Sequence, residues 1–206
     1  SGARSWLFSA RRGNLDLIID PKFGQPSYFD VFGEFAYEFT PRTRLSINAL
    51  YADDAITLVL ESDPDERDEV RSDTRNAQIW LRLDSRWSES LSSTTVLSSV
   101  DYSNRRTGFA NDMEKMVAAV QDDREIRQIG LRQDWLWSPS EAHWTQWGIS
   151  AVAGEAEYDY VGAAQYFGVQ ALYENQPSEV SRALAANPKG GSYAIYVSDR
   201  WRLTDK

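Results

Sequence analysis

The stretch from Ser27 to Tyr51, SYFDVFGEFAYEFTPRTRLSINALY, alternates with a period of two over a length that few soluble folds use. Phe29, Val31, Gly33, Phe35, Tyr37 and Phe39 share one parity, and Tyr28, Asp30, Phe32, Glu34, Ala36 and Glu38 share the other. One apolar and one more polar face is the pattern of a β-strand, whose successive side chains point to opposite sides. Pro41-Arg42-Thr43 then turns the chain, and Leu45, Ile47, Ala49 and Tyr51 resume the apolar parity. Such a strand runs on the order of 45 Å, where globular strands usually span roughly 17–20 Å. Tilted by about 45°, it still crosses a hydrocarbon layer of about 30 Å.

The same rhythm recurs along the chain. It predicts a first strand over Arg4–Arg12, two strands in the opening hairpin, and further strands over 76–87, 91–102, 124–137, 145–160 and 192–203. The expected connections alternate: about three to five residues after the second, fourth and sixth strands, and about fourteen to thirty after the first, third, fifth and seventh. A short extended piece is expected at Leu15–Ile19 and an acidic loop within 57–74. A loop helix is expected in NDMEKMVAAV, where Asn111 and Glu114 resemble a capping box and Met113, Met116, Val117 and Val120 have helical spacing. One or two helical turns are expected in PSEVSRALAAN, begun at Ser178 and stopped by Pro188. Asp199 breaks the last strand's parity, as a bulge or the edge of an apolar band would.

Short turns at one end and long loops at the other are the habit of outer-membrane barrels. The fold expected is therefore all-β: an antiparallel up-and-down transmembrane β-barrel segment of about eight long strands, one unit over residues 1–206. Alternation by itself does not say which face is outside, because a soluble sandwich would turn the apolar parity onto its core.

Composition removes several classes. No apolar run reaches the 18 or so residues of a membrane helix, so any crossing is by strands. A mean hydropathy of -0.53 is compatible with a barrel, which alternates lipid-facing and lumen-facing residues. A net charge of -9 argues against nucleic acid as a partner. With no Cys there is neither a disulfide framework nor thiol chemistry. No charged-then-apolar leader begins at Ser1, the expectation for a mature, truncated or never-exported chain.

RSWLFSARR followed by LDL, YFDVFGEFAYEFTPRTRLSINALYADD, and the closing SDRWRLTDK resemble the first third of the barrel of a TonB-dependent outer-membrane receptor. The most specific runs are Ser9-Ala10-Arg11-Arg12, the YFD opening of the second strand and SDRWRLT near the end. The resemblance implies active uptake of a scarce ligand (an iron chelate, cobalamin or a carbohydrate) across the outer membrane of a Gram-negative cell. It implies as partners the membrane lipid, a plug domain of the same full-length chain, a periplasmic TonB-type energy coupler acting through the plug, and an external small-molecule ligand. The chain departs from the family in having no plug, no coupling motif and about eight strands where a plugged barrel has 22. A fragment is the expectation.

In such a barrel Arg11, Glu34, Arg82, Asp84, Arg86 and Arg132 share the polar parity and would form a lumen ladder of charge pairs contacting a plug. Phe39, Trp87, Trp135, Trp137, Trp144, Trp147 and Trp201 lie near the short turns, where an interfacial aromatic girdle belongs. No catalytic, cofactor or metal set is expected: His143 is the single histidine, and Arg67 interrupts the acidic run Asp63, Asp65, Glu66, Asp68, Glu69. That run is expected to be a solvated loop, and Asp53-Asp54 a charged strand end. Three rivals stay open: a small closed eight-stranded barrel, an outer-membrane hydrolase, and a soluble sandwich that binds carbohydrate through exposed Trp.

Overall fold

The computed structural model describes residues 2–15, 18, 24, 26–61, 66–168 and 178–202. Its elements are nine strands: β1 (Arg4–Arg12), β2 (Ser27–Thr40), β3 (Thr43–Glu61), β4 (Asp68–Arg86), β5 (Leu91–Asp112), β6 (Met116–Ser140), β7 (His143–Tyr166), β8 (Glu179–Ala186) and β9 (Lys189–Trp201). They form one antiparallel sheet in which each strand from β1 to β7 lies beside the next, and β8 and β9 both pair with β7. Among the described residues no ladder joins β1 to β9, so the sheet stays open.

β8 and β9 are one strand in two pieces. Tyr158 pairs with Ala186 and Glu155 with Lys189, so the register on β7 is the same on either side of Asn187-Pro188. Pro188 has no N–H to give the ladder, yet its carbonyl still accepts Ala156 N–H at 2.9 Å. With that strand counted once, the sheet is eight strands wide.

The register fixes the faces. One row runs Trp6, Phe35, Ile47, Leu81, Leu97, Leu131, Ala151, Tyr193 across the whole sheet, one residue from each strand. These side chains are uncovered: Trp6 is 78% exposed, Ile47 42% and Tyr193 83%. Ala36, Ser46, Asn48 and Asp122, on the other parity, are buried. A curved sheet with its polar parity on the concave side produces that contrast; a sandwich would reverse it. Among the described residues no large side chain is fully buried. Toward the short turns the sheet's apolar surface faces outward.

Glycines on the concave face let aromatic rings lie down on the sheet. A Cβ at Gly148 would stand 2.6 Å from the Tyr196 ring, and one at Gly162 would meet the Tyr160 hydroxyl at 2.7 Å. The ring covers what the glycine leaves bare.

Several expectations are corrected. The predicted helix in NDMEKMVAAV is a hairpin: β5 runs to Asp112 and β6 starts at Met116. Asp112 Oδ1 accepts the backbone N–H groups of Glu114 (2.9 Å) and Lys115 (3.0 Å), and Oδ2 takes Lys115 Nζ at 2.7 Å. The chemistry that would cap a helix closes a turn instead. The helical turns expected from Ser178 are strand β8, because the upper edge of β7 offers a ladder that outweighs the propensity of Ala and Leu. The stretch expected to be an acidic loop is largely strand, β3 reaching Glu61 and β4 starting at Asp68. The large loops after the third and fifth strands are thus long hairpin arms, 19 residues each for β3 and β4, 22 for β5 and 25 for β6. Of the extended piece at Leu15–Ile19, Asp16, Leu17 and Ile19 lie outside the described residues, while Ile18 N–H turns back on the Leu15 carbonyl at 3.1 Å. No bulge occurs at Asp199: the β7–β9 register is unbroken from Glu155–Lys189 to His143–Trp201.

Candidate functional site

The inner face changes character with height, and the outer face is belted by charge between two apolar zones. From the end with the short turns at Pro41-Arg42 and Glu141-Ala142, the outer parity of β6 is apolar or aromatic at Trp137, Trp135, Leu131 and Ile129, interrupted by Gln133. This is about 30 Å of strand, or roughly 20 Å of height at a tilt of about 45°, close to the lipid-facing band of known barrels at about 25 Å. From Arg127 to Asp123 the same parity is charged, and above Gln121 it is apolar again at Ala119 and Val117. Arg127 meets Asp101 (3.3 Å) and Glu125 (3.2 Å), Arg105 meets Asp123 (2.9 Å), Arg75 meets Asp53 (3.0 Å), Arg71 meets Asp73 (2.8 Å) and Lys189 meets Glu155 (2.9 Å). Solvent screening leaves such exposed pairs little stabilising effect. They bound the apolar band on its upper side. There Arg71, donating to Asp73, holds that carboxyl below its ordinary range.

The inner face is polar beside the apolar band. Arg11 pairs with Asp30 (3.0 Å), Arg44 with Glu34 (3.3 Å), Arg82 with Asp84 (2.8 Å) and Arg132 with Asp134 (2.7 Å). Thr94 donates to Asp84 at 2.7 Å, and the Tyr196 hydroxyl donates to Asp134. Arg86 stands on the same parity, its N–H on the Arg42 carbonyl at 2.7 Å. The structure therefore sets Arg11, Glu34, Arg82, Asp84, Arg86 and Arg132 on one face. Sequence reasoning missed the partners Asp30 and Arg44, which only the cross-strand register reveals, and Asp134, which stands two residues from Arg132 on the same strand.

Of the seven aromatics near the short turns, six share the outer parity. Trp87, Trp135 and Trp147 form a column with ring centroids 5.9 and 6.2 Å apart, Trp137 and Trp201 flank His143 at 6.0 and 5.7 Å, and Phe39 meets Tyr37 edge-on at 4.9 Å. Trp144 falls on the inner parity, opposite Arg200, whose guanidinium lies 4.7 Å over its ring. His143 Nε2 is 2.8 Å from Asp199 Oδ1, which also accepts Thr145 Oγ1 at 2.7 Å. That contact pins the β9 edge to β7.

Above the band the inner face carries a charged layer and then an apolar crown. Asp122, 5% exposed, accepts from Arg124 (2.8 Å) and from Arg106. The Arg124 bond, helped by Arg106 and opposed by burial, keeps the Asp122 carboxyl below its ordinary range. Arg124 also lies 5.2 Å over the Tyr158 ring. Higher still, Met116, Val120, Tyr160, Tyr166 and Arg182 help line a hollow of about 500 Å³. Of the acidic run, Asp63 and Asp65 lie outside the described residues, Glu69 pairs with Arg67 at 2.5 Å, and Asp68 borders the hollow. Among the described residues no group of side chains is arranged to hold a metal, and no helix is long and apolar enough to cross a membrane.

No protein-family model matches the chain, and no curated protein matches it. Its fold is similar to part of the crystal structure of the ferric yersiniabactin uptake receptor FyuA from Yersinia pestis, with a TM-score of 0.65 at 9% identity. The match covers 88% of this chain and 27% of that one, so the chain spans about a quarter of the receptor's length. The architecture is that of a stretch of barrel wall: antiparallel, up-and-down and, among the described residues, open at both edges.

Proposed function

We propose that this chain is a segment of the barrel wall of a TonB-dependent outer-membrane receptor, serving energy-coupled uptake of a scarce ligand. The observation that carries this reading is an outward apolar band beside a polar inner face, closed above by a belt of exposed charge pairs, on one sheet. An outward apolar band beside a polar lumen suits lipid, and an inward apolar crown above it suits a ligand vestibule outside the membrane. The likeness to an uptake receptor's fold supports the class. On this reading the short turns face the periplasm, the column of Trp87, Trp135 and Trp147 lies in the inner interface, and the Arg82–Asp84 and Arg132–Asp134 pairs face the plug. The free backbone rows of β1 and β9 at band height would find no hydrogen-bond partner in lipid, so further strands complete the wall there.

The absence of native Cys makes the test clean. Single cysteines at Gln121, Leu131 and Ser88 are exposed in intact cells to a membrane-impermeant maleimide. Gln121→Cys is expected to label at once, Ser88→Cys only after the outer membrane is permeabilised, and Leu131→Cys poorly in both cases. Labelling of Ser88→Cys in intact cells, or recovery of the protein in the soluble fraction, sinks the reading. Loss of uptake when the energy coupler is deleted tests the transport half.

A further inference from the structure

The crown hollow has a shape and a charge layout that the uptake reading does not itself explain, and the inference here rests on that reading. Its floor is made of small residues in adjacent cross-strand rows. Gly108, Val120 and Gly162 stand side by side on β5, β6 and β7, and Ala110, Ala118 and Ala164 form the next row. Strands lie about 4.8 Å apart, so this flat apolar floor is roughly 10 Å wide. The Tyr160 ring lies over Gly162 as part of that floor, and Met116 and Tyr166 also line the hollow. At the β8 end of the Gly162 row stands Arg182, which has no partner among the described residues. The far end of that row is Val70, and Asp68, which has no cation on it among the described residues, ends the neighbouring Ala110 row; Glu69 is paired with Arg67.

We infer that the hollow receives an aromatic or otherwise flat apolar ligand bearing an anionic group, whose anion pairs with Arg182. A floor of glycine, alanine and the Tyr160 ring accepts a planar body by contact and stacking. It offers few partners for the hydroxyls of a neutral sugar, each of which costs free energy when desolvated unpaired. The volume of about 500 Å³ falls in the range of small-molecule sites. Charge orients the ligand: Arg182 attracts the anion at one end and Asp68 repels it from the other. Arg106 and Arg124, sharing the single carboxylate of Asp122 below the hollow, add positive potential beneath. This sets a planar anion ahead of a neutral carbohydrate as the ligand of the hollow.

The test uses 2-naphthoate as a planar anion, 2-naphthamide as its neutral counterpart and maltotriose as a neutral sugar. Each is titrated by saturation-transfer NMR against the full-length protein in phospholipid nanodiscs. Naphthoate is expected to bind about tenfold more tightly than naphthamide, the effect of one charge-assisted contact. Arg182→Gln, on an exposed side chain at the sheet edge, is expected to erase that tenfold difference and leave naphthamide binding unchanged. Gly162→Val is expected to weaken both, because its side chain would drive the Tyr160 ring off the floor. Equal binding of the two aromatics, indifference to Arg182→Gln, maltotriose binding in their place, or no binding at all overturns the inference. Failure of the uptake reading would show separately, in the cysteine labelling pattern.

Discussion

The band and the crown are built on the same strands and differ in almost everything else. β5 and β6 pair without a break from Leu91–Trp137 to Asp112–Met116. No bulge turns either strand over between the two heights, so every odd residue of β5 points the same way along all 22 residues. Near the turns that outer face bears Leu97 and, across the ladder, Leu131; higher up it bears Arg105 and Asp123. The inner face does the reverse, with Arg132 and Asp134 low and Val120, Ala118 and Met116 high. The sheet geometry is indifferent to which face is apolar. The side chains alone give each height its character: the inner face turns from polar to apolar, while the outer face passes through a charged belt to Phe109 and Ala119.

A charge placed at each height on the same face of β6 sharpens that contrast most. Leu131→Arg puts a guanidinium among Leu97, Ala151 and the lipid, and is expected to cost about 2–4 kcal/mol. Gln121→Arg, ten residues along the same outer parity, is expected to cost about 0–1 kcal/mol. Urea unfolding in lipid vesicles reads both. Equal costs would mean that no lipid band exists at Leu131.

The charged layer between band and crown has its own expected loss. Asp122→Leu removes the carboxylate that Arg106 and Arg124 share and leaves two guanidinium groups together, a cost of about 1–3 kcal/mol felt first in the tips of β5, β6 and β7. The same pairs set a pH dependence. The folded carboxyl of Asp122 titrates below its ordinary value, so its contribution is complete above the ordinary carboxylate pKa of about 3.9 and is lost as pH falls through the lower folded value. Amide exchange in the crown, corrected for intrinsic rates, is therefore expected to be flat from neutral pH to about pH 5 and to accelerate only below about pH 4. Acceleration between pH 7 and 5 would point to a different group.

At the turn end, Trp135→Ala removes the middle ring of the column and both of its stacks, each contributing roughly 0.5–1.5 kcal/mol. Trp144→Ala, on the inner parity with only Arg200 above it, is expected to leave lipid-dependent stability unchanged. If Trp144→Ala costs as much as Trp135→Ala in the same unfolding assay, membrane anchoring is not what the column does.

The band was legible in the sequence because an apolar outer face and a polar inner face make its residues alternate. The predicted first strand, Arg4–Arg12, coincides with β1, and the Pro41-Arg42-Thr43 turn falls where β2 gives way to β3. The upper arms were not legible, because the charged belt interrupts the apolar parity. SNRRTGFAND, residues 103–112, carries arginines on both parities and reads as a loop, yet it is held as strand by β4 and β6. Met113, Met116, Val117 and Val120 do have helical spacing, but Met116, Ala118 and Val120 have strand spacing as well, and only the partner strand decides between them. Arg182 and the tyrosines of the hollow drew no notice for the same reason: alternation marks a face, and a pocket is made by neighbours distant in the chain.

The smallest expected effect lies where the eighth strand is cut in two. Pro188 sits opposite Ala156 by the shared register of β8 and β9, and it supplies the carbonyl of that pair without the returning N–H. Pro188→Thr restores a donor facing the Ala156 carbonyl in a setting that favours a β-branched residue. One added ladder bond is expected to stabilise the edge by about 0.5–1 kcal/mol. Slower amide exchange at Ala186 and Lys189 would report it, with the β5–β6 amides unchanged as the reference. Should exchange speed up instead, the proline's fixed φ holds the two pieces in one register, and the missing bond is the lesser cost.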